Sequence, residues 1–184
     1  MPYSLPVYQS DVLGRHIGSL PAYSAPLFCA NAASDRAADL TIWAMRNTSA
    51  TKSCIITHLH AALTAAVAAG RGARGGMVFA RFSTATPTGG TALAAVPNAT
   101  GQAASAVTDV RYAEAGLTVT SVVFEGPFSS LGVGAGLDAT ASVDVIDPSF
   151  PITLAPGQGL CVRSYGGGYL TGCGLDGTVS WYEV

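Results

Sequence analysis

Charged side chains are scarce in this sequence: Asp, Glu, Lys and Arg make up 11% of its 184 residues, against roughly 25% in an ordinary soluble domain. A free monomer normally keeps charge on its surface for solubility. The shortage fits a surface that neighbouring subunits cover, and it fits equally well a neutral surface of Ser, Thr, Gly and Ala. The formal net charge is −2, so no overall positive field attracts nucleic acid. We expect no nucleic-acid partner.

Long apolar runs are also missing. The most apolar stretch, Ala61 to Gly70, is interrupted by Thr64 and falls far short of the ~20 residues that a membrane helix needs. The first residues, MPYSLPVY, have neither the basic start nor the apolar run of a signal peptide. We therefore expect a protein made in a cytoplasm, without a membrane partner.

Cysteine is present without a recognisable spacing. Cys29, Cys54, Cys161 and Cys173 form no CxxC pair, so the pattern of a structural zinc site is missing. Cys161 and Cys173 flank a Gly-rich stretch and could approach each other across a hairpin. Because reduced thiols are the default in a cytoplasm, we expect all four to be free and most of them buried.

The motifs of common catalytic sites are missing too: the sequence has no GxGxxG before a helix, no P-loop, no GxSxG and no HExxH. His58 and His60 are the one suggestive pair, because residues at i and i+2 of a strand share a face. Cys54 is expected on that same face. A closed metal site needs three or four ligands, and nothing places His16 or an acid nearby. We predict exposed or interface histidines, and no catalytic, cofactor-binding or metal-binding residue.

The remaining polar candidates are scattered. Asp109 and Arg111 are expected to form an ion pair at a strand edge, while Tyr165 and Tyr169, beside a Gly-rich loop, could stack on a sugar ring or pack in an interface. The other acids form no pattern of paired carboxylates: Glu114, Glu125, Asp138, Asp144, Asp147, Asp176 and Glu183.

Short alternating or β-branched runs between turn signals predict an all-β protein. The expected strands are Leu40–Met45, Lys52 to about Leu63, Met77–Thr84, Leu117–Phe124, Ala141–Ile146, Ile152–Leu154, Gly159–Ser164 and Gly177–Val184. The second of these is ambiguous, because Ile55, Leu59, Leu63 and Val67 also fit a helical step. We favour a strand there, since Ile-Ile-Thr starts a helix poorly. Many short strands with Gly-rich connections favour a jelly-roll-like β-sandwich.

The start of the chain differs from the rest. Residues Met1 to Ala30 contain Pro2, Pro6, Pro21 and Pro26, and prolines at this density disfavour both helices and central strands. The sequence therefore predicts two parts: an extended proline-rich arm at 1–30, which packs on another surface, and a β-sandwich domain at 31–184.

Several stretches resemble a known group of proteins. They are Trp43–Ser49 (WAMRNTS) leading into Ile55-Ile56, Ala85–Leu93 (ATPTGGTAL), Pro151–Ser164 (PITLAPGQGLCVRS), Gly177–Val184 (GTVSWYEV), Thr108–Arg111 and Gly116–Thr118. From Leu40 onward the chain resembles small structural proteins of tailed bacteriophages, which decorate the head or attach at the tail. The resemblance implies a place in the virion and brings no catalytic residues with it.

Together these observations predict a non-catalytic virion protein that self-associates and contacts other virion proteins such as the major capsid protein. A homotrimer is expected by analogy with other jelly-roll virion proteins. Such a protein would stabilise the particle by burying apolar faces and sheet edges between neighbouring subunits. The late strands Gly159–Ser164 and Gly177–Val184 carry only Arg163 and Glu183 as charges, so at least one is expected to form an edge that meets a partner.

Two other hypotheses belong to different classes. The chain could be a carbohydrate- or receptor-binding module of a phage tail, in which Tyr165 and Tyr169 would matter. It could also be a cupin-like enzyme that uses His58 and His60, which stoichiometric zinc or iron would indicate.

Overall fold

The computed structural model describes residues 21–27, 41–65, 76–83, 85–105, 107–112, 116–120, 122–123, 141–144, 151–165 and 173–184. In these residues all regular structure is β, and no helix occurs. The strands are β1 (Ala22–Pro26), β2 (Thr41–Asn47), β3 (Cys54–Ala65), β4 (Gly76–Ser83), β5 (Thr91–Leu93), β6 (Val96–Pro97), β7 (Thr108–Tyr112), β8 (Val122–Val123), β9 (Ala141–Asp144), β10 (Ile152–Leu154), β11 (Gln158–Tyr165) and β12 (Cys173–Glu183).

The described strands form two antiparallel six-stranded sheets. The first sheet has the order β10-β3-β12-β1-β6, with β9 also paired to β3, and the second has the order β5-β7-β2-β11-β4-β8. From β1 to β4, and again from β10 to β12, each strand lies in the opposite sheet to the one before it. This arrangement is that of a β-sandwich, which confirms the predicted all-β class.

Most predicted strands are present with boundaries close to those expected. The ambiguous segment is a strand from Cys54 to Ala65, because its cross-strand pairing with β12 runs along its whole length. The segment Leu117–Phe124 is different. Among its described residues, 117–120 and 122–123, only Val122 and Val123 form a strand, while Thr118 makes an isolated bridge to Thr88.

The main core lies between the two sheets. The largest fully buried side chains include Trp43, Phe79 and Leu160 from the second sheet and Trp181 and Leu59 from the first. Burying a large apolar side chain contributes roughly 1.5–3 kcal/mol. This interface between the sheets is therefore the main source of stability.

A second, smaller core covers the outer face of the second sheet. Ala44, Ala80 and Cys161 occupy paired positions on β2, β4 and β11 and are fully buried. The segments that contain Ala85 and Leu117 pack over them. Strand β2 is consequently buried on both faces.

Strand β1 lies within the range expected to form the arm. It pairs with β12 on one side and β6 on the other, and Tyr23, Ala25 and Leu27 are buried in the main core. The prolines permit this because Pro21 precedes the strand and Pro26 ends it, which leaves the intervening N–H groups available. Residues 21–27 are thus part of the sandwich, whereas 1–20 and 28–30 lie outside the described residues.

The two late strands are not edges. Strand β11 lies between β2 and β4, and β12 lies between β3 and β1. The expectation that one of them is an exposed edge is therefore wrong. Their low charge reflects burial between neighbouring strands of this chain.

Candidate functional site

The histidine pair lies on the outer face of the first sheet. His58 is exposed and His60 is partly exposed. Their rings are nearly parallel, with an interplanar angle of 5° and centroids 6.4 Å apart. The sequence prediction that both histidines share one face of a strand is confirmed.

Cys54 does not share that face, contrary to expectation. The pairing of β3 with β12 shifts register between Ser180 and Trp181, which leaves Thr57 as an extra residue in β3. Such a β-bulge reverses the alternation of side chains beyond it. Cys54 therefore points into the main core, where it is fully buried, while the histidines face outward.

Polar side chains surround the histidine pair on this face. His58 is paired with Ser180, and Ser180 is paired with Ser24 on β1. Ser24 Oγ donates its one proton to Asn98 Oδ1 at 2.8 Å. In the 2.8 Å hydrogen bond between the two serine hydroxyls, Ser180 Oγ is therefore the donor and Ser24 Oγ the acceptor. The result is a row of hydroxyl and amide groups beside an imidazole.

Asp144 occupies a backbone position next to the pair. Strand β9 runs antiparallel to β3, and its Asp144 is paired directly with His60, whose other neighbour is Thr178 on β12. The sequence showed no link between this acid and the histidines, because the two strands are about eighty residues apart.

Two thiols are buried and free. Cys54 and Cys161 form no disulfide, so the possible link between Cys161 and Cys173 is not made. These two residues belong to strands of different sheets. Desolvation by burial raises the pKa of both thiols to about 12; Glu183 adds to the increase at Cys54, and Arg163 reduces it at Cys161. Both thiols are poor nucleophiles at neutral pH, because the thiolate is the reactive form.

The predicted ion pair of Asp109 and Arg111 is present. Arg111 Nε donates to both carboxylate oxygens of Asp109, at 2.9 and 3.0 Å. Arg111 Nη1 also donates to the carbonyl of Gly89 at 3.1 Å. The pair thereby fixes the turn before β5, which is a structural role.

Glu183 is a buried acid that the sequence did not distinguish. Its side chain is only 2% exposed; it accepts a hydrogen bond from Ser105 Oγ and lies 3.5 Å from Lys52 Nζ. Its backbone N–H donates to the carbonyl of Pro21. Glu183 thus joins the end of β12 to the segments before β3, β7 and β1.

Asn47 is a second buried polar residue with several partners. Its Nδ2 donates to the carbonyls of Lys52 and Leu154, at 2.8 and 3.0 Å, and its Oδ1 accepts from the N–H of Ser49. The bond to Leu154 crosses from one sheet to the other. Asn47 therefore has an architectural role.

The other candidates give no site. In the ranges that the structure describes, no three His, Cys, Asp or Glu residues group as metal ligands, and no helix is long and apolar enough to cross a membrane. Asp176 is exposed on β12. His16, Cys29, Glu114, Glu125, Asp138, Asp147 and Tyr169 lie outside the described residues.

Comparison with known proteins identifies no relative. No family model matches the chain, and neither a curated protein nor a solved structure matches it. Its function must be inferred from its own residues and contacts.

Proposed function

We propose that this chain is a non-catalytic structural subunit of a tailed-bacteriophage particle, either a head-decoration (cement) protein or a tail-associated protein. It acts by self-association and by contacts with other virion proteins such as the major capsid protein. The observation that carries the proposal is the scarcity of charged residues among the fully exposed positions in the described part of the sandwich.

That surface is neutral and rich in threonine. Among the exposed residues in the described part of the chain, only Lys52 and Asp176 carry a full charge, and ten are threonines. Covering a charge costs free energy unless a partner neutralises it, and the centres of protein interfaces are depleted of charged residues. A surface of this kind can be covered by neighbouring subunits at little desolvation cost.

The architecture supports the same proposal. We assign the sandwich to the jelly-roll-like class because successive strands alternate between the sheets at both ends of the chain. Double-sheet jelly rolls are frequent in viral capsid proteins. A homotrimer is the proposed unit, by analogy with such proteins.

Native mass spectrometry of the purified chain, combined with proteomics of purified phage particles, tests the proposal. We expect an oligomer in solution and the chain in the particles. Exposed threonines on the two faces provide variants: Thr178→Lys on the first sheet and Thr120→Lys over the second, with Thr178→Ser and Thr120→Ser as matched controls.

At least one lysine variant should weaken association by about a hundredfold or more, because a buried unpaired charge costs several kcal/mol. The serine variants should associate like the parent chain. A stable monomer that is absent from particles contradicts the proposal. An oligomer that tolerates both lysines contradicts the cementing mechanism.

The polar row on the first sheet favours a second candidate, a carbohydrate- or receptor-binding module of a phage tail. Ser24, Ser180 and Asn98 present hydroxyl and amide groups beside His58, and such groups fix the orientation of polar ligands. Glycan-array binding that Ser180→Ala removes would support this candidate over the structural one.

A further inference from the structure

Arg46 is a basic residue of the second sheet whose charge its own neighbours do not neutralise. It lies on the outer face of β2, two residues after Ala44 of the smaller core. Its Nε is buried and has no hydrogen-bond partner, and in the part of the chain that the structure describes its side chain forms no ion pair. A buried N–H group without an acceptor is rare in folded proteins and requires an explanation.

The two residues opposite Arg46 on the neighbouring strands explain why it is unpaired. On one side lies Asp109 of β7, but both of its carboxylate oxygens accept from Arg111 Nε. On the other side lies Gly159 of β11, which has no side chain, and a Cβ at this position would collide with the ring of Phe82. A carboxylate that is already engaged and an apolar ring leave the Arg46 guanidinium without a partner.

Asp176 is the complementary acid on the opposite face of the sandwich. Among the acids whose side chains the structure describes, it alone is fully exposed. It lies on β12 two residues before Thr178, and therefore on the same outer face of the first sheet. Like Arg46, it forms no ion pair within the described residues. One outer face thus carries an unpaired guanidinium and the other an unpaired carboxylate.

We infer that Arg46 of one copy of the chain pairs with Asp176 of a second copy, so that the outer face of the second sheet packs on the outer face of the first sheet of its neighbour. The inference rests on the self-association proposed above and names the two surfaces that form it. The charges select this occupant: Asp109 and Arg111 neutralise each other, which leaves Arg46 in excess on one face, while Asp176 is in excess on the other.

The surroundings of the two residues suit such a contact. Arg46 is partly exposed and Asp176 fully exposed, so a carboxylate can reach the guanidinium and accept two parallel N–H···O bonds from it. Thr178 and Ser180 beside Asp176 are uncharged, and an ion pair enclosed by neutral groups strengthens a contact more than a solvated pair does. Because two different faces meet, the contact is heterologous and generates a ring or an open array.

Sedimentation equilibrium of the full chain and of two charge-reversal variants tests the inference. Arg46→Glu and Asp176→Arg should each weaken self-association by about thirtyfold or more, because either change places like charges opposite each other. An equimolar mixture of the two variants should associate again, since Asp176 of the first variant meets Arg46 of the second, and the two introduced charges are also opposite in sign. Thr100→Glu, in an exposed turn, is the control and should associate like the parent chain.

Recovery on mixing separates a lost contact from lost folding, because an unfolded variant gains nothing from its partner. The inference is overturned if the parent chain forms an oligomer that either variant forms equally well, or if the mixture does not associate. It is also overturned if Arg46→Glu is absent from particles but self-associates like the parent, which assigns Arg46 to another virion protein. A monomeric parent chain contradicts the proposed function itself, and the inference with it.

Discussion

Cys54 and Cys161 show how far this fold changes the chemistry of a single side chain. Cys54 lies in the main core and Cys161 in the smaller core outside the second sheet. Burial raises the pKa of each thiol from 9.0 to about 12. The folded chain therefore holds both protons at pH values where the unfolded chain releases them.

These shifts predict a loss of stability in alkaline solution. Between about pH 9 and pH 12 the unfolded state binds fewer protons than the folded state, so the free energy of unfolding falls as pH rises. Each thiol contributes at most about 1.4 kcal/mol per pH unit. The free energy of unfolding, measured with urea between about pH 8.5 and pH 10.5, should fall less steeply with pH for Cys161→Ala than for the parent chain.

Ser83→Ala is a suitable control for this experiment, because Ser83 is exposed and its hydroxyl does not titrate in this range. Its dependence on pH should equal that of the parent chain. Equal slopes for Cys161→Ala and the parent would mean that Cys161 ionises in the folded state as easily as in the unfolded state.

At the scale of elements, the pairing of β3 with β12 joins the two longest strands in the described chain. It runs from Cys54–Glu183 to Ala65–Cys173. Gly177 lies within it, paired with Ala61, and a Cβ there would lie 2.0 Å from the carbonyl oxygen of His60. Since that oxygen belongs to the backbone, only a shift of one strand could relieve the clash.

Gly177→Ala should therefore destabilise the protein by about 1–3 kcal/mol, the usual cost of overpacking. Thr178→Ala, at the next position but exposed, should cost less than about 1 kcal/mol. Urea unfolding of both variants measures the difference. Similar stabilities would show that the two strands separate easily at this point.

The sequence predicted strands well where the pattern is local. Alternation predicted β2 and β11, and the β-branched run from Ile55 predicted β3, because these features depend only on neighbours along the chain. The sequence could not predict which strands are central. That depends on pairing between distant segments, and β11 and β12 looked like edges only because they carry few charges.

The orientation of the residues around the histidine pair was likewise predictable only where it depends on neighbours along the chain. The shared face of His58 and His60 followed from strand periodicity, whereas the opposite orientation of Cys54 depends on a bulge that exists only because β12 pairs with β3. The partners of Asn47 and Glu183 are also distant in sequence. Their burial is a property of the assembled sandwich and left no local signal.

At the scale of the whole molecule, strand β1 links the beginning of the described chain to its end. Its residues pair with Thr178–Tyr182 of β12, and Leu27 N–H donates to the carbonyl of Gly177 at 3.0 Å. On the other side, the carbonyl of Ala22 accepts from the N–H of Asn98 at 2.9 Å. Trp43 Nε1 donates to the carbonyl of Pro26, which connects β1 to the second sheet.

Removing residues 1–27 should consequently unfold the sandwich, although the sequence predicted that the β-sandwich domain begins only at residue 31. The deletion exposes apolar surface of Trp181 and Val179 and removes the buried Tyr23 and Leu27. Each large side chain contributes roughly 1.5–3 kcal/mol, and the total stability of a domain is only about 5–15 kcal/mol.

A chain that begins at Pro21 is the matched control, because it retains all of β1. Urea unfolding followed by Trp fluorescence should be cooperative for this control and absent, or shifted to much lower urea, for the chain that begins at Phe28. The point variants Leu27→Ala and Ser24→Ala extend the comparison to intact chains: Leu27 is fully buried, so its loss should cost about 2–5 kcal/mol, and the Ser24 variant much less. If the chain that begins at Phe28 unfolds as cooperatively as the control, β1 is a dispensable arm after all.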